Sequence, residues 1–206
     1  MLLKPGFILL SVLLLAGCGQ ATQERAPDRP APKPAQREPA TPAVVHKALS
    51  QLPWLQRNGY SQRIILLADL NLPMNAYRLF LVDLEKKKVL HQSVMAHGSG
   101  LGSTIEEAVC SNEPGSNCSS LGRYRFGENY NGRWGNSFRL HGLDPGNNKA
   151  LQRAIVFHYY EHMTDDPETG SLYYSQGCPM VPKRTYRLVK NTIEKESLPV
   201  VLWMYK

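Results

Sequence analysis

Apolar and polar positions change their period several times along the chain. The run Phe7–Ala16 is almost wholly apolar and follows a single charge, Lys4. It is too short for a membrane-crossing helix of about twenty residues. A charged start, a short apolar core and small residues at the exit predict a secretory signal peptide over residues 1–17. Residues 18–42 lose all periodicity and fill with Pro, Ala and Gln among charges of both signs, the composition of a semi-extended tether.

Periodicity returns at Thr41-Pro42, a helix start with Pro at the first helical position. Val45, Leu49 and Leu52 follow at helical spacing; Pro53 breaks or kinks the helix, and Asn58-Gly59 ends it. Apolar runs of strand length predict strands at Arg63–Asp69, Tyr77–Asp83 and Val89–Met95, the last two joined by a turn at Lys86-Lys87-Lys88. Gly122–Phe126 and Ser137–Leu140 are shorter strand candidates, and Ala150–Ala154 reads as helical turns feeding a strand over Ile155–His158. Tyr186, Val189 and Ile193 predict an amphipathic helix within residues 182–196, basic on its outer face. Pro199–Met204 closes the chain as a strand. The sum is a mainly β domain over residues 43–206 with a few helices, a sandwich or distorted barrel. Its long loops between residues 97 and 150, rich in Gly, Asn and Ser, are where function tends to sit.

Composition narrows the function classes. At 206 residues, 42% hydrophobic and 20% charged, the chain buries a real core and is neither disordered throughout, collagen-like nor a disulfide-packed miniprotein. A net charge of +7 suits anionic partners such as a membrane surface or a carboxylate-rich wall polymer. No single basic block stands out, which argues against nucleic acid.

The four cysteines carry most of the candidate chemistry. Leu15-Ala16-Gly17-Cys18 resembles a bacterial lipobox, which implies acylation of Cys18 and anchoring to a membrane by its lipid. Gly19, where Asp would retain the protein on an inner membrane, resembles the outer-membrane class facing the periplasm. Outside the cytoplasm three further cysteines are an odd number. The simplest account is a disulfide between Cys110 and Cys118 across the Pro114-Gly115 turn, leaving Cys178 free for use. Cys178 lies in Ser175-Gln176-Gly177-Cys178-Pro179. A nucleophilic thiol needs a lowered pKa, a base and oxyanion donors. The helix beginning near Pro182 is a candidate to lend its positive end, and His158, ending an apolar strand, is the candidate base. A metal site from Cys178, His158 and His141 matches no common zinc spacing.

Ser-x-Gly-Cys with a His about twenty residues upstream resembles the L,D-transpeptidase catalytic domain of the YkuD type, and more closely its murein L,D-transpeptidase branch. The likeness rests on five ordered blocks: Ala96-His97-Gly98-Ser99-Gly100, Ser119-Ser120-Leu121-Gly122-Arg123-Tyr124, Ser137-Phe138-Arg139-Leu140-His141-Gly142-Leu143-Asp144, residues 148–158 and Ser175–Pro179. It covers residue 44 to the C-terminus. The resemblance implies a β-sandwich with a curved mixed sheet, and acyl transfer on peptidoglycan stem peptides by a monomer that needs no metal or cofactor. Cys178 would be the nucleophile and His158 the base. Ser175 and Gly177 would shape the oxyanion pocket, with His141 and His97 beside it. The thiol would attack the carbonyl of the third stem residue, a diamino acid, and expel the terminal D-Ala. Transfer of the thioester to a side-chain amine makes a 3→3 cross-link; transfer to water makes a carboxypeptidase or stem-peptide hydrolase. A wall-binding lipoprotein with an idle thiol is the non-enzymatic alternative. Two departures from the family pattern stand out: Tyr159-Tyr160 rather than Gly follows His158, and no Arg closely follows Cys178.

Overall fold

The computed structural model describes residues 41–168, 170 and 172–206. The expected signal peptide, the lipidated Cys18 and the tether up to residue 40 lie outside the described residues. Two short helices open the domain, α1 (Thr41–Leu49) and α2 (Leu52–Arg57). Pro53 sits in the first turn of α2, where its missing N–H costs no hydrogen bond; it therefore starts a second helix after the break. Gly59, at φ +72°, turns the chain out of α2.

Eight strands follow: β1 (Ile64–Asp69), β2 (Leu79–Asp83), β3 (Lys88–Ser93), β4 (Gly122–Gly132), β5 (Gly135–Gly142), β6 (Val156–Tyr160), β7 (Met180–Pro182) and β8 (Val201–Tyr205), with helix α3 (Lys183–Ile193) between the last two. They form one mixed sheet in the order β3-β2-β1-β8-β4-β5-β6-β7. The pairs β1–β8 and β6–β7 are parallel and the others antiparallel. This is the mainly β, mixed-sheet architecture with a few helices that the sequence implies. β1 reads as an unbroken apolar run because both its faces are covered. Ile64, Leu66 and Ala68 join the core that holds Phe126, Phe138, Phe157 and Tyr186 of α3. Ile65 and Leu67 face the other way, against Val45 and Leu55 of the N-terminal helices.

The structure departs from the sequence expectation in four places. The β4–β5 hairpin is much longer than the two short strands expected. Residues 127–136 show no apolar alternation, yet pair as Asn129↔Phe138, Tyr130↔Ser137 and Asn131↔Asn136. Amide side chains hold this arm: Asn136 Nδ2 donates to Asn129 Oδ1 at 2.8 Å, and Asn129 Nδ2 donates to the Tyr186 hydroxyl at 2.9 Å. β7 was hidden because three residues ending in Pro carry no strand signal. The Ala150–Ala154 stretch makes turns but no helix, and Ala154 takes φ +53°, the left-handed region unusual for a residue with a Cβ.

The fourth departure concerns the expected disulfide. Cys110, Cys118 and Cys178 are all free thiols. The reason is register. Cys110 pairs in parallel with Ser119, not with Cys118. A one-residue offset along an extended chain turns the side chain to the opposite face. Each thiol faces its own backbone instead, Cys110 Sγ toward Ala108 O at 4.0 Å and Cys118 Sγ toward Ser116 O at 3.5 Å. Among the described residues no helix is long and apolar enough to cross a membrane.

Candidate active site

The β6–β7 pairing builds the site. β7 lies parallel to β6 with Met180 opposite His158. Two residues back along the same register, Cys178 comes to Val156, whose N–H donates to Cys178 Sγ at 3.4 Å. Val156 and His158 are two apart on one strand, so their side chains leave the same face. Cys178 and His158 accordingly line one cleft of about 490 Å³, together with Trp134, Arg153 and Gln176. The sequence placed thiol and imidazole in one site, and the structure brings them to it.

His158 is 1% exposed. Its Nδ1 lies 3.1 Å from the carbonyl oxygen of Tyr159. A carbonyl only accepts, so Nδ1 carries the proton and Nε2 is left as the basic nitrogen. Trp134, at the tip of the β4–β5 arm, stacks on the ring with centroids 5.6 Å apart and planes 23° from parallel. Burial pushes the His158 pKa down to about 4, offset in part by the bond to Tyr159. Burial pushes the Cys178 thiol up to about 11, with the Val156 N–H and the Arg153 charge pulling the other way. Both shifts disfavour the charged form, so the resting pair is a neutral thiol beside a neutral imidazole. The lowered thiol pKa expected from the sequence is not found. Cys178 does not sit at the helix N-terminus, because β7 carries the chain about 10 Å onward, at roughly 3.3 Å per residue, before α3 begins.

A neutral pair has a readable consequence. With a pKa near 11, only about one thiol in 10⁴ is ionised at pH 7, against a few per cent for an ordinary cysteine. Iodoacetamide should therefore alkylate Cys178 about a hundredfold more slowly than a model thiol at pH 7. The rate should climb about tenfold per pH unit above that. Peptide mapping separates Cys178 from Cys110 and Cys118, and alkylation as fast as the model thiol at pH 7 would contradict the neutral pair.

The turn carrying Cys178 is held by hydroxyls. Ser175 Oγ donates to Cys178 O at 2.7 Å and accepts from Gly177 N–H at 3.1 Å. Ser119 Oγ donates to Gly177 O at 3.2 Å and accepts from Gly98 N–H at 3.1 Å. Ser175 N–H donates to His97 O at 2.9 Å. Three of the ordered sequence blocks thus meet at this turn. Gly177 has φ +110°, and a Cβ there would lie 2.6 Å from the Cys118 carbonyl oxygen; only glycine fits. The N–H groups of Ser175 and Gly177, expected to line an oxyanion pocket, are both engaged, the first with His97 O and the second with Ser175 Oγ, so these residues shape the turn.

The other two candidate histidines, His97 and His141, do not reach the cleft lining. His97 is fully buried; Arg78 Nη2 donates to its Nδ1 at 2.8 Å. Burial and the neighbouring Arg78 charge push its pKa down to about 3. Arg78, itself completely buried, also donates to Met95 O at 2.8 Å and Leu72 O at 3.0 Å. His97 supports the Cys178 turn from behind through its carbonyl. His141, on β5 opposite Arg125, has Nε2 3.8 Å from Glu128 Oε2. It is four residues along β5 from Ser137, which is the residue paired with His158. Trp134, Tyr130 and Arg153 line the cleft and were missed by sequence reasoning. Arg153 lies within the block of residues 148–158, but nothing in its spacing signals a role.

Cys178 and an oriented His158 imidazole in one cleft, carried on a mixed sheet, are groups of the kind a cysteine-dependent enzyme uses. The chain belongs to the family of L,D-transpeptidase catalytic domains, whose family model matches residues 36–205. It is an enzyme of that family, with the family's general activity of cysteine-dependent peptidoglycan modification. A search of curated proteins found none similar to it. Among solved structures it is similar to the L,D-transpeptidase of Xylanimonas cellulosilytica, at 13% identity over 75% of this chain and 69% of that one, with a TM-score of 0.40. It is also similar to the helical cell shape determining protein Pgp2 of Campylobacter jejuni, at 14% identity over 77% of this chain and 56% of that one, with a TM-score of 0.43. A point variant of that protein gives 14% identity over 82% and 57%, with a TM-score of 0.46. The chain thus spans a little over half the length of the Campylobacter protein.

Proposed function

We propose that the chain cleaves peptidoglycan tetrapeptide stems through a thioester on Cys178, after the diamino acid at the third position. The observation that carries this reading is the shared cleft of Cys178 and His158, with Nε2 as the free base. In the first step Sγ attacks the carbonyl carbon as His158 Nε2 takes the thiol proton. The C–S bond forms, the C–N bond to D-Ala breaks, and the imidazolium returns the proton to the leaving amine. In the second step His158 takes a proton from the acceptor, the new acyl bond forms, C–S breaks and the thiolate is reprotonated. We assign the Cys178 N–H as an oxyanion donor, since the neighbouring N–H groups are engaged.

Two acceptors share this chemistry. With water as the acceptor the outcome is that of an L,D-carboxypeptidase or stem-peptide hydrolase. Family membership supports the second reading, transfer to the side-chain amine of another stem with a 3→3 cross-link. In the cell envelope we assign residues 1–17 as the removed leader, Cys18 as the lipid anchor with two acyl chains for stable attachment, and residues 18–42 as the tether of the catalytic domain 43–206.

Intact-mass analysis of the full chain mixed with a tetrapeptide muropeptide tests these assignments together. The expected spectrum shows a chain that begins at an acylated Cys18 and a thioester adduct that Cys178→Ala lacks. Tripeptide with free D-Ala marks hydrolysis, and dimers mark transfer. Neither adduct nor product from the wild type would leave a wall-binding lipoprotein. An unacylated N-terminus would end the anchor assignment.

A further inference from the structure

We infer that Arg153 is a specificity-determining residue that binds the free terminal carboxylate of the peptide being cleaved. This rests on the acyl-enzyme reading above and deepens it. The cleft lining includes Arg133 and Arg153 and no Asp or Glu. Arg153 is half-buried, and its three hydrogen bonds go to neutral acceptors. Nη1 donates to Ser111 O at 2.9 Å and Ser120 Oγ at 3.2 Å, and Nη2 donates to Cys118 O. Among the described residues no carboxylate forms an ion pair with it. A guanidinium has five N–H donors, so two remain for a ligand. A partly desolvated cation without a counter-charge favours an anion in its place.

The position is right for this anion. A Cβ on Gly177, the residue before Cys178, would lie 3.0 Å from Arg153 Nη2. The carbonyl oxygen of Ala154, next to Arg153, is 4.0 Å from Cys178 Sγ. In the substrate, the carboxylate carbon of the leaving residue is three bonds from the attacked carbonyl carbon, hence within about 4 Å of it. A carbonyl seated at Sγ therefore brings the terminal carboxylate to the neighbourhood of the guanidinium. The bonds to Ser111, Cys118 and Ser120 anchor the guanidinium against one wall. Ala154, in its left-handed conformation, makes the turn that presents it, a strained position of the kind that gathers at functional sites.

The test compares thioester formation by the full chain on a tetrapeptide with a free C-terminus and on its C-terminal amide. The amide has the less basic leaving amine, so intrinsic reactivity favours it. Wild type is expected to prefer the free acid by about tenfold or more in kcat/KM, the worth of one charge-assisted contact. Arg153→Gln should lose that preference, its rates on the two substrates converging. Arg153→Lys, which keeps a charge without the planar fork, should show an intermediate ratio and covers the case in which Arg153→Gln does not fold. A wild-type ratio near one overturns the inference. So does Arg153→Gln or Arg153→Lys losing rate on both substrates with the wild-type ratio kept, the signature of a purely structural role. Wild type acylated by neither substrate ends the acyl-enzyme reading, and this inference with it.

Discussion

Cys178→Ser is expected to lose thioester chemistry almost entirely, and Cys178→Ala to lose it completely. A serine hydroxyl is far less acidic than even the raised thiol of Cys178. It would ask a nearly neutral, buried imidazole to do more than its lowered basicity allows. His158→Ala removes that base and should cost about 10²- to 10⁴-fold in acylation rate. His141→Ala should leave the rate near wild type, because His141 is outside the cleft lining. Since the base works in its neutral form, kcat/KM should hold as pH falls from 7 through the ordinary imidazole range. It should drop only as pH approaches about 4, the lowered value of His158. Single-turnover acylation followed by mass spectrometry checks each variant. If His141→Ala abolished acylation while His158→Ala preserved it, the assignment of the base would be wrong.

The second large effect is expected at Gly177, which touches no proton in the reaction. Gly177→Ala meets two obstacles, the positive φ and the Cys118 carbonyl 2.6 Å from the new Cβ. That obstacle is backbone, tied to the Arg153 guanidinium, and has no side-chain freedom with which to yield. Strain of this kind costs about 1–3 kcal/mol, and each kcal/mol lowers Tm by about 2–4 °C in a domain this size. The activity loss should be larger than the stability loss suggests. Relief of the clash moves the residue adjacent to the thiol, and a displacement of about 1 Å costs on the order of 10²-fold. A melting curve beside a single-turnover rate separates the two effects. Wild-type acylation by Gly177→Ala would mean that the turn tolerates a different path.

Legibility in the sequence followed the strength of local signals. β1, β2 and β8 are short apolar runs of strand length, and as strands they needed no partner to be inferred. α3 announced itself through Tyr186 and Val189, which are buried as the period requires. Pro53 marked the break between the first two helices because a missing N–H and a fixed φ act locally. The β4–β5 arm was not legible. Its Gly-Asn composition has weak strand preference, and its pairing is held by Asn129, Asn136 and Tyr186, which are far apart in sequence. Trp134 was lost with that arm, although it covers the His158 ring.

The cysteines show the same division. An odd count of thiols and the Ser-x-Gly-Cys turn singled out Cys178, and His158 followed from its place at the end of an apolar run. Both judgements used residue type and spacing alone. The pairing of Cys110 with Cys118 needed a fact that spacing does not contain, the register that sets Cys110 against Ser119. Likewise the sign of the thiol's pKa shift depends on burial, which outweighs the Val156 N–H and the Arg153 charge. Each block read along the chain named its own chemistry, because reactivity types and turn preferences are properties of single residues and short segments. Which blocks converge, which histidine meets the thiol and which arginine stands beside it were decided by strand order and register, because contacts between distant segments exist only once the sheet has formed.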